Sequence, residues 1–174
     1  MQGKSIILGL AVSTTALVAG VYYAFAVAIN PAFARLPDRE YIAAMQHINA
    51  AIVNPLFALS FFGAPLLLPL AAGLHWRAGG RRWYLLVAAA AIFWVGSLGI
   101  TFVANIPLNE KLASFPTQQA PASQAASARA AFASSWNHWH AVRTVASVAA
   151  MGLVVAAALA TGSIRPSPLP ATNS

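Results

Sequence analysis

The segment Trp136–Arg143 packs two Trp, two His and one Arg into eight residues, just ahead of an apolar run that continues to Ala160. On a helix at 100° per residue, Trp136, Trp139, His140 and Arg143 lie within about 100° of one another, and His138 points roughly the opposite way. Such a stripe offers an imidazole that titrates near neutrality, a permanent cation and flat indole faces. Those groups can move a proton, hold an anion and stack on an aromatic ligand. Each also has a structural role open to it: the indoles as interfacial anchors, Arg143 reaching for headgroups or Glu110, His140 as a structural hydrogen-bonder.

The elements that position the stripe follow from composition. Of 174 residues, 59% are hydrophobic and 7% charged, against about 25% charged in an ordinary soluble domain. The chain reads as an all-α membrane protein. It has no cysteine, so disulfides, thiolate metal sites and a Cys nucleophile are excluded. The formal charge of +7 is spread thinly, with no basic run longer than Arg81-Arg82, so no nucleic-acid partner is expected. The three acids, Asp38, Glu40 and Glu110, all lie outside the apolar runs. That argues against a carboxylate-bridged metal pair and against a proton relay through intramembrane acids.

Four apolar stretches are long enough to cross a bilayer, which takes about 20 residues: residues 6–29, 55–74, 83–103 and 141–160. They predict a four-transmembrane-helix bundle over 1–163, with helical extensions at about 38–53 and 123–140. Gly162, Pro166 and Pro168 end the last span and leave 164–174 as a disordered tail. Asn30-Pro31 and Leu36-Pro37 are expected to break the first helix and Pro107 the third, with a kink at Pro55 or Pro65. The first stretch also offers small-residue cleavage patterns at Ala24-Phe25-Ala26 and Ala26-Val27-Ala28. Its length and the bulky Tyr22-Tyr23-Phe25 favour a retained span over a cleaved signal peptide. His75-Trp76-Arg77-Ala78-Gly79-Gly80-Arg81-Arg82 forms an arginine-rich turn, with His75 at the interface. The positive-inside rule puts that turn and both termini in the cytoplasm, in a plasma (inner) membrane.

With that topology, four polar stretches meet at the opposite, outer face. They are the end of span one at Asn30, then Gln46, His47, Asn49 and Asn54, then Asn105 and Asn109, and finally Trp136, Trp139, His140 and Arg143. Bundles build sites from facing side chains of different helices, so one polar, aromatic-lined pocket at the outer mouth is expected. The bland alternative for each Asn or Gln is a helix cap or an interhelical bridge. No metal site is expected. His138 and His140 diverge by about 160–200° on one helix, and His47 with His140 would supply only two ligands where stable sites use more.

Three motifs in order, Met45-Gln46-x-Ile48-Asn49-x-x-Ile52-x-Asn54-Pro55-x-Phe57, Asn105-x-Pro107-x-Asn109 and Trp136-x-x-Trp139-x-x-x-Arg143-Thr144, resemble the anthrone-oxygenase-like family of small membrane proteins. The resemblance runs from span one to span four. It implies oxidation of an activated methylene in a hydrophobic aromatic molecule to a quinone carbonyl by dioxygen, as a cofactor-independent monooxygenase. The sequence has no dinucleotide-binding glycine motif. An anthrone-type C–H is acidic because its anion spreads over the rings and the carbonyl. On this reading His140 is the base that removes the proton. Arg143, with Asn49, Asn54, Asn105 and Asn109 and the neighbouring Gln46 and His47, binds the substrate and its developing enolate oxygen. Trp136 and Trp139 stack on the rings, and the lipid bilayer delivers the substrate. The competing reading is a non-catalytic membrane scaffold or partner protein whose polar cluster only holds helices together. A transporter is disfavoured by the absence of intramembrane acids and inverted repeats.

Overall fold

The computed structural model describes residues 2–160, and the tail expected from 164 onward lies outside them. Five helices follow in order: α1 (Gln2–Phe33), α2 (Asp38–Ala51), α3 (Pro55–His75), α4 (Gly80–Ala113) and α5 (Ala122–Leu159). All but α2 are long and apolar enough to cross a membrane. Each buries one stripe set by helical spacing. On α1 it is Leu8, Ala11, Thr15, Val18 and Tyr22, and on α5 it runs from Phe132 through Trp136, His140 and Arg143 to Ser147, Ala150, Val154 and Ala157. These stripes close a ring in which α1 packs on α3, α3 on α4, α4 on α5 and α5 on α1. Leu68, Leu86, Phe93 and Val154 fill its centre. The Gly79-Gly80 turn, with both φ angles positive, joins α3 to α4 at one end. At the other, cap end, α2 lies across α4 and α5 over a second core of Phe25, Ile42, Met45, Leu112, Phe132 and Trp136.

The prolines act differently from expectation. Neither Pro31 nor Pro107 ends its helix: α1 continues to Phe33 and α4 to Ala113. Each is preceded by a π-helical turn, Phe25–Ile29 and Thr101–Asn105, in which the residue just before the proline bonds five residues back, Asn30 to Phe25 and Ile106 to Thr101. The extra residue per turn shifts the ladder, so the donor that proline lacks is missed without a break. Inside α3, Pro69 cannot donate to the Pro65 carbonyl four residues back; Trp94 Nε1 from α4 donates to that oxygen instead, at 2.8 Å. The break between the expected segments 38–53 and 55–74 falls at Asn54, whose Oδ1 accepts from Phe57 N and caps α3. The expected 123–140 and 141–160 segments form one helix, α5.

Arginines close the helix ends. Arg129 donates to the carbonyls of Ala34 and Leu36 past the end of α1 and pairs with Asp38, and Arg82 donates to the Ala157 and Ala160 carbonyls at the end of α5. His75, expected at the interface, is buried, with Nδ1 2.8 Å from the Ala71 carbonyl.

Helices α4 and α5 approach closely midway. A Cβ built on Gly96 would stand 2.6 Å from Ala146 Cβ, and Ser147 Oγ donates to Ser97 Oγ at 2.8 Å. Nearer the cap, Asn105 Nδ2 reaches the Trp136 carbonyl. The cap half of α4 therefore follows α5. Helix α4 packs on α3 through its first half, Gly80–Gly99, and draws away from it beyond.

Candidate functional site

The divergence of α3 and α4 leaves a cavity of about 560 Å³ at the cap end. Its walls are mostly apolar: Val21 and Phe25 from α1, Ile48 from α2 and Ile52 just past its end, Phe57, Phe61 and Phe62 from α3, Phe102 and Ile106 from α4. The polar side chains on the wall are Asn49, Asn54, Thr101, Asn109, Trp136 and Arg143. That volume falls within the usual 300–1,000 Å³ range of small-molecule sites.

Arg143 is the one ionisable residue on the wall. It is 7% exposed and no acid pairs with it. Among the described residues the ion pair is Arg129–Asp38, and Glu40 and Glu110 are exposed. The guanidinium is held by neutral groups. Its plane lies over Tyr22, centroid distance 4.3 Å, and near Trp136, 5.2 Å, so aromatic faces offset part of the desolvation cost. Nε and Nη2 donate to His140 Nδ1, both at 3.1 Å, and Nη1 donates to Thr101 Oγ1 at 3.3 Å. A guanidinium carries five N–H groups. Three are used in this way, leaving one on each terminal nitrogen outside these bonds, with the Tyr22 hydroxyl as the neighbouring polar group. Such a pair suits a carboxylate-like or enolate oxygen.

His140 is 1% exposed and does not line the cavity. A guanidinium only donates and a carbonyl only accepts. Nδ1, facing Arg143, therefore carries the lone pair, and Nε2 carries the proton given to the Tyr22 carbonyl at 3.1 Å. The ring is also stacked on Trp136, 4.7 Å and 9° from parallel. The base role expected for His140 does not fit this arrangement, because both nitrogens are engaged and neither faces the cavity. Its evident effect is to hold Arg143.

Trp136 is fixed in turn: its Nε1 donates to Asn109 Oδ1 at 2.7 Å, and Phe132 stacks one turn before it. Phe132, Trp136 and His140 form an i, i+4, i+8 ladder on the inner stripe of α5. Thr101 Oγ1 gives its proton to the Ser97 carbonyl and so accepts from both Arg143 and the Tyr22 hydroxyl.

Several expected residues lie elsewhere. Gln46 donates to the carbonyls of Leu112 and Phe115 and accepts from Thr117, clamping the end of α4 beneath α2. His47 is exposed and off the wall. Asn105 is fully buried behind the wall, bonded to the Trp136 carbonyl. Trp139 is 39% exposed against His138 and points out of the bundle. Asn49, Asn54, Asn109, Trp136 and Arg143 do meet at the cavity, and Asn49 Nδ2 is buried there with no protein partner. Asn54 is committed to its helix cap. Tyr22, Thr101 and the phenylalanine walls had no place in the expected site. The signal for Thr101 was present: Ser97, Thr101 and Asn105 recur every four residues in an otherwise apolar span, directly facing the polar stripe of α5.

Residues 49–153, well over half of the chain, match the family model described as anthrone oxygenase. The chain belongs to the anthrone oxygenase family. The match takes in the whole cavity wall except Val21, Phe25 and Ile48, and it includes both His140 and Arg143. No curated protein and no solved structure matches the chain.

Proposed function

We propose that this protein is a membrane oxidoreductase that converts an activated methylene of a hydrophobic aromatic molecule into a carbonyl, using dioxygen. The observation that carries this reading is Arg143: a buried cation with two N–H groups outside its bonds to His140 and Thr101 and no acid, set in an apolar cavity of ligand size. A cation so placed favours a ligand that becomes an anion. An anthrone-type ligand does so when its methylene loses a proton and its carbonyl oxygen becomes an enolate oxygen. Arg143, assisted by the free Asn49 Nδ2, stabilises that oxygen, and each unit by which it lowers the ligand's pKa corresponds to about 1.4 kcal/mol.

No other residue on the wall ionises, so the proton passes to solvent as the enolate forms. The electron-rich carbon then donates to dioxygen and forms a C–O bond to a peroxide. Breaking the O–O bond expels hydroxide, and the second C–H bond supplies the electron pair of the new C=O. In total one CH₂ and one O₂ give one C=O and one H₂O. Both faces of Trp136 are taken by Phe132 and His140, so the rings on the wall that suit a flat ligand are the stacked pair Phe57 and Phe61, centroids 5.4 Å apart.

The orientation we propose has the Arg77–Arg82 turn and both termini in the cytoplasm and the cavity toward the other face of a plasma membrane; the arginines of that turn support the orientation through the positive-inside rule. The test of the reaction is oxygen uptake by purified protein against a panel of anthrones and hydroquinones, with and without chelator, and with ¹⁸O₂ followed into the carbonyl. Enzymatic uptake with label incorporation supports the reading; none across the panel rejects it. A scaffold reading draws on the polar groups that bond only to protein, such as Asn105 to the Trp136 carbonyl. It requires that wall substitutions lower the melting temperature without selective loss of turnover.

A further inference from the structure

The cavity reaches the protein surface between two helices that span the apolar layer. Where α4 turns away from α3 the rim is made of Phe62 and Phe102, 49% and 48% exposed, and toward the α2–α3 link it continues through the exposed Val53, Asn54 and Pro55. Phe62 lies seven residues inside α3 from Pro55, about 10 Å along a helix axis. The helix itself, at 21 residues, matches the roughly 30 Å of a bilayer's hydrocarbon. The Phe62–Phe102 part of the rim therefore sits at the depth of acyl chains, below the headgroups, while Val53–Pro55 stand at the headgroup end. One contact crosses it: the buried Phe61 ring of α3 lies 6.3 Å from Phe102 of α4, with Phe62 packed edge-on to Phe61 at 5.1 Å. Behind those rings the wall is mostly apolar, and Thr101 and Arg143 stand on it.

We propose that this gap is a lateral portal, through which a planar hydrophobic molecule dissolved in the bilayer passes between α3 and α4 to Arg143, with Phe102 as the side chain that yields. Its position explains why the site is built in a membrane protein at all. A flat polycyclic partitions into lipid, and a doorway at acyl-chain depth meets it there without a passage through water. The gap follows from the packing: Gly96 against Ala146, the Ser97–Ser147 bond and Asn105 on the Trp136 carbonyl draw the cap half of α4 to α5 and away from α3. An exposed phenylalanine changes rotamer in picoseconds to nanoseconds, fast enough for a door. The proposal rests on the reading of the cavity as the substrate site.

The chain has no cysteine, so an introduced pair is unambiguous. Phe62→Cys/Phe102→Cys protein in lipid nanodiscs is joined by a short bis-methanethiosulfonate, and benzophenone added in the lipid is the photoprobe. Trp136 is 2% exposed and lines the cavity, so label on it reports entry. In the open protein Trp136 is labelled. Linking the pair slows labelling by about tenfold or more, because a door that cannot open sets the rate, and reducing the link restores it. Labelling unaffected by the link overturns the portal and leaves the cavity as the site, reached another way. No label on Trp136 even in the open protein overturns the cavity reading and the portal with it. Both positions are half exposed, so the pair does not disturb the core, and an unchanged melting temperature verifies this.

Discussion

His140 distinguishes two accounts of the same site, through a pair of substitutions. If it holds Arg143, what matters is an acceptor at the Nδ1 position; if it moves protons, what matters is an imidazole. His140→Phe keeps a flat ring against Trp136 and removes the acceptor, while His140→Asn restores an amide oxygen. The lost interaction is a pair of N–H···N bonds at 3.1 Å from a cation that is 7% exposed and has no acid partner. Hydrogen bonds to charged groups are worth about 1.5–3 kcal/mol, or roughly 10- to 150-fold. His140→Phe is therefore expected to lower kcat/KM for anthrone oxidation by that factor through a misplaced Arg143, and His140→Asn to recover most of it. The assay is oxygen uptake by detergent-purified protein, paired with a thermal melt to separate misfolding from misplacement. Full activity in the Phe variant refutes the holding role. An Asn variant as poor as the Phe variant, with an unchanged melt, returns the imidazole to proton transfer.

Three further outcomes follow from the packing. Gly96→Ala places a methyl 2.6 Å from Ala146 Cβ and is expected to cost about 1–3 kcal/mol by overpacking; Ala146→Gly in the same chain should restore the melting temperature. Trp94→Phe leaves the Pro65 carbonyl without its interhelical donor and should cost about 0.6–1.7 kcal/mol in the same melt. Tyr41, on α2, is held above its ordinary pKa of 10.0 because burial disfavours the phenolate more than Arg129 favours it. The unfolded chain thus releases this proton first, so folding loses stability as pH rises above about 10. Spectrophotometric titration against Tyr41→Phe protein should show the missing phenol as a late transition.

The four long helices were legible because an apolar run of bilayer length has few other outcomes. The site was legible in part because helical spacing alone puts Trp136, His140 and Arg143 on one face. Spacing could not tell which way that face turned at its edges. Trp139 sits within the same arc yet looks out of the bundle, while Gln46 and Asn105, placed at the right level, were drawn to carbonyls before reaching the cavity. The prolines misled for a related reason: Pro31 and Pro107 are helix breakers in a regular ladder, and the π-helical turns before them take up the defect. Those turns have no pattern in the sequence. Nor does the hydrogen-bond partner of a histidine, and that partner decides what His140 is able to do.

The central claim is that Arg143 holds the ligand as an anion inside the cavity. Anthrone bound anaerobically at neutral pH, where it cannot turn over, reports this through its own absorption spectrum. Wild-type protein is expected to develop the enolate band on binding, and Arg143→Met protein of unchanged melting temperature to bind anthrone in its neutral form. A neutral spectrum on the wild-type protein, or the same enolate band without Arg143, contradicts the account.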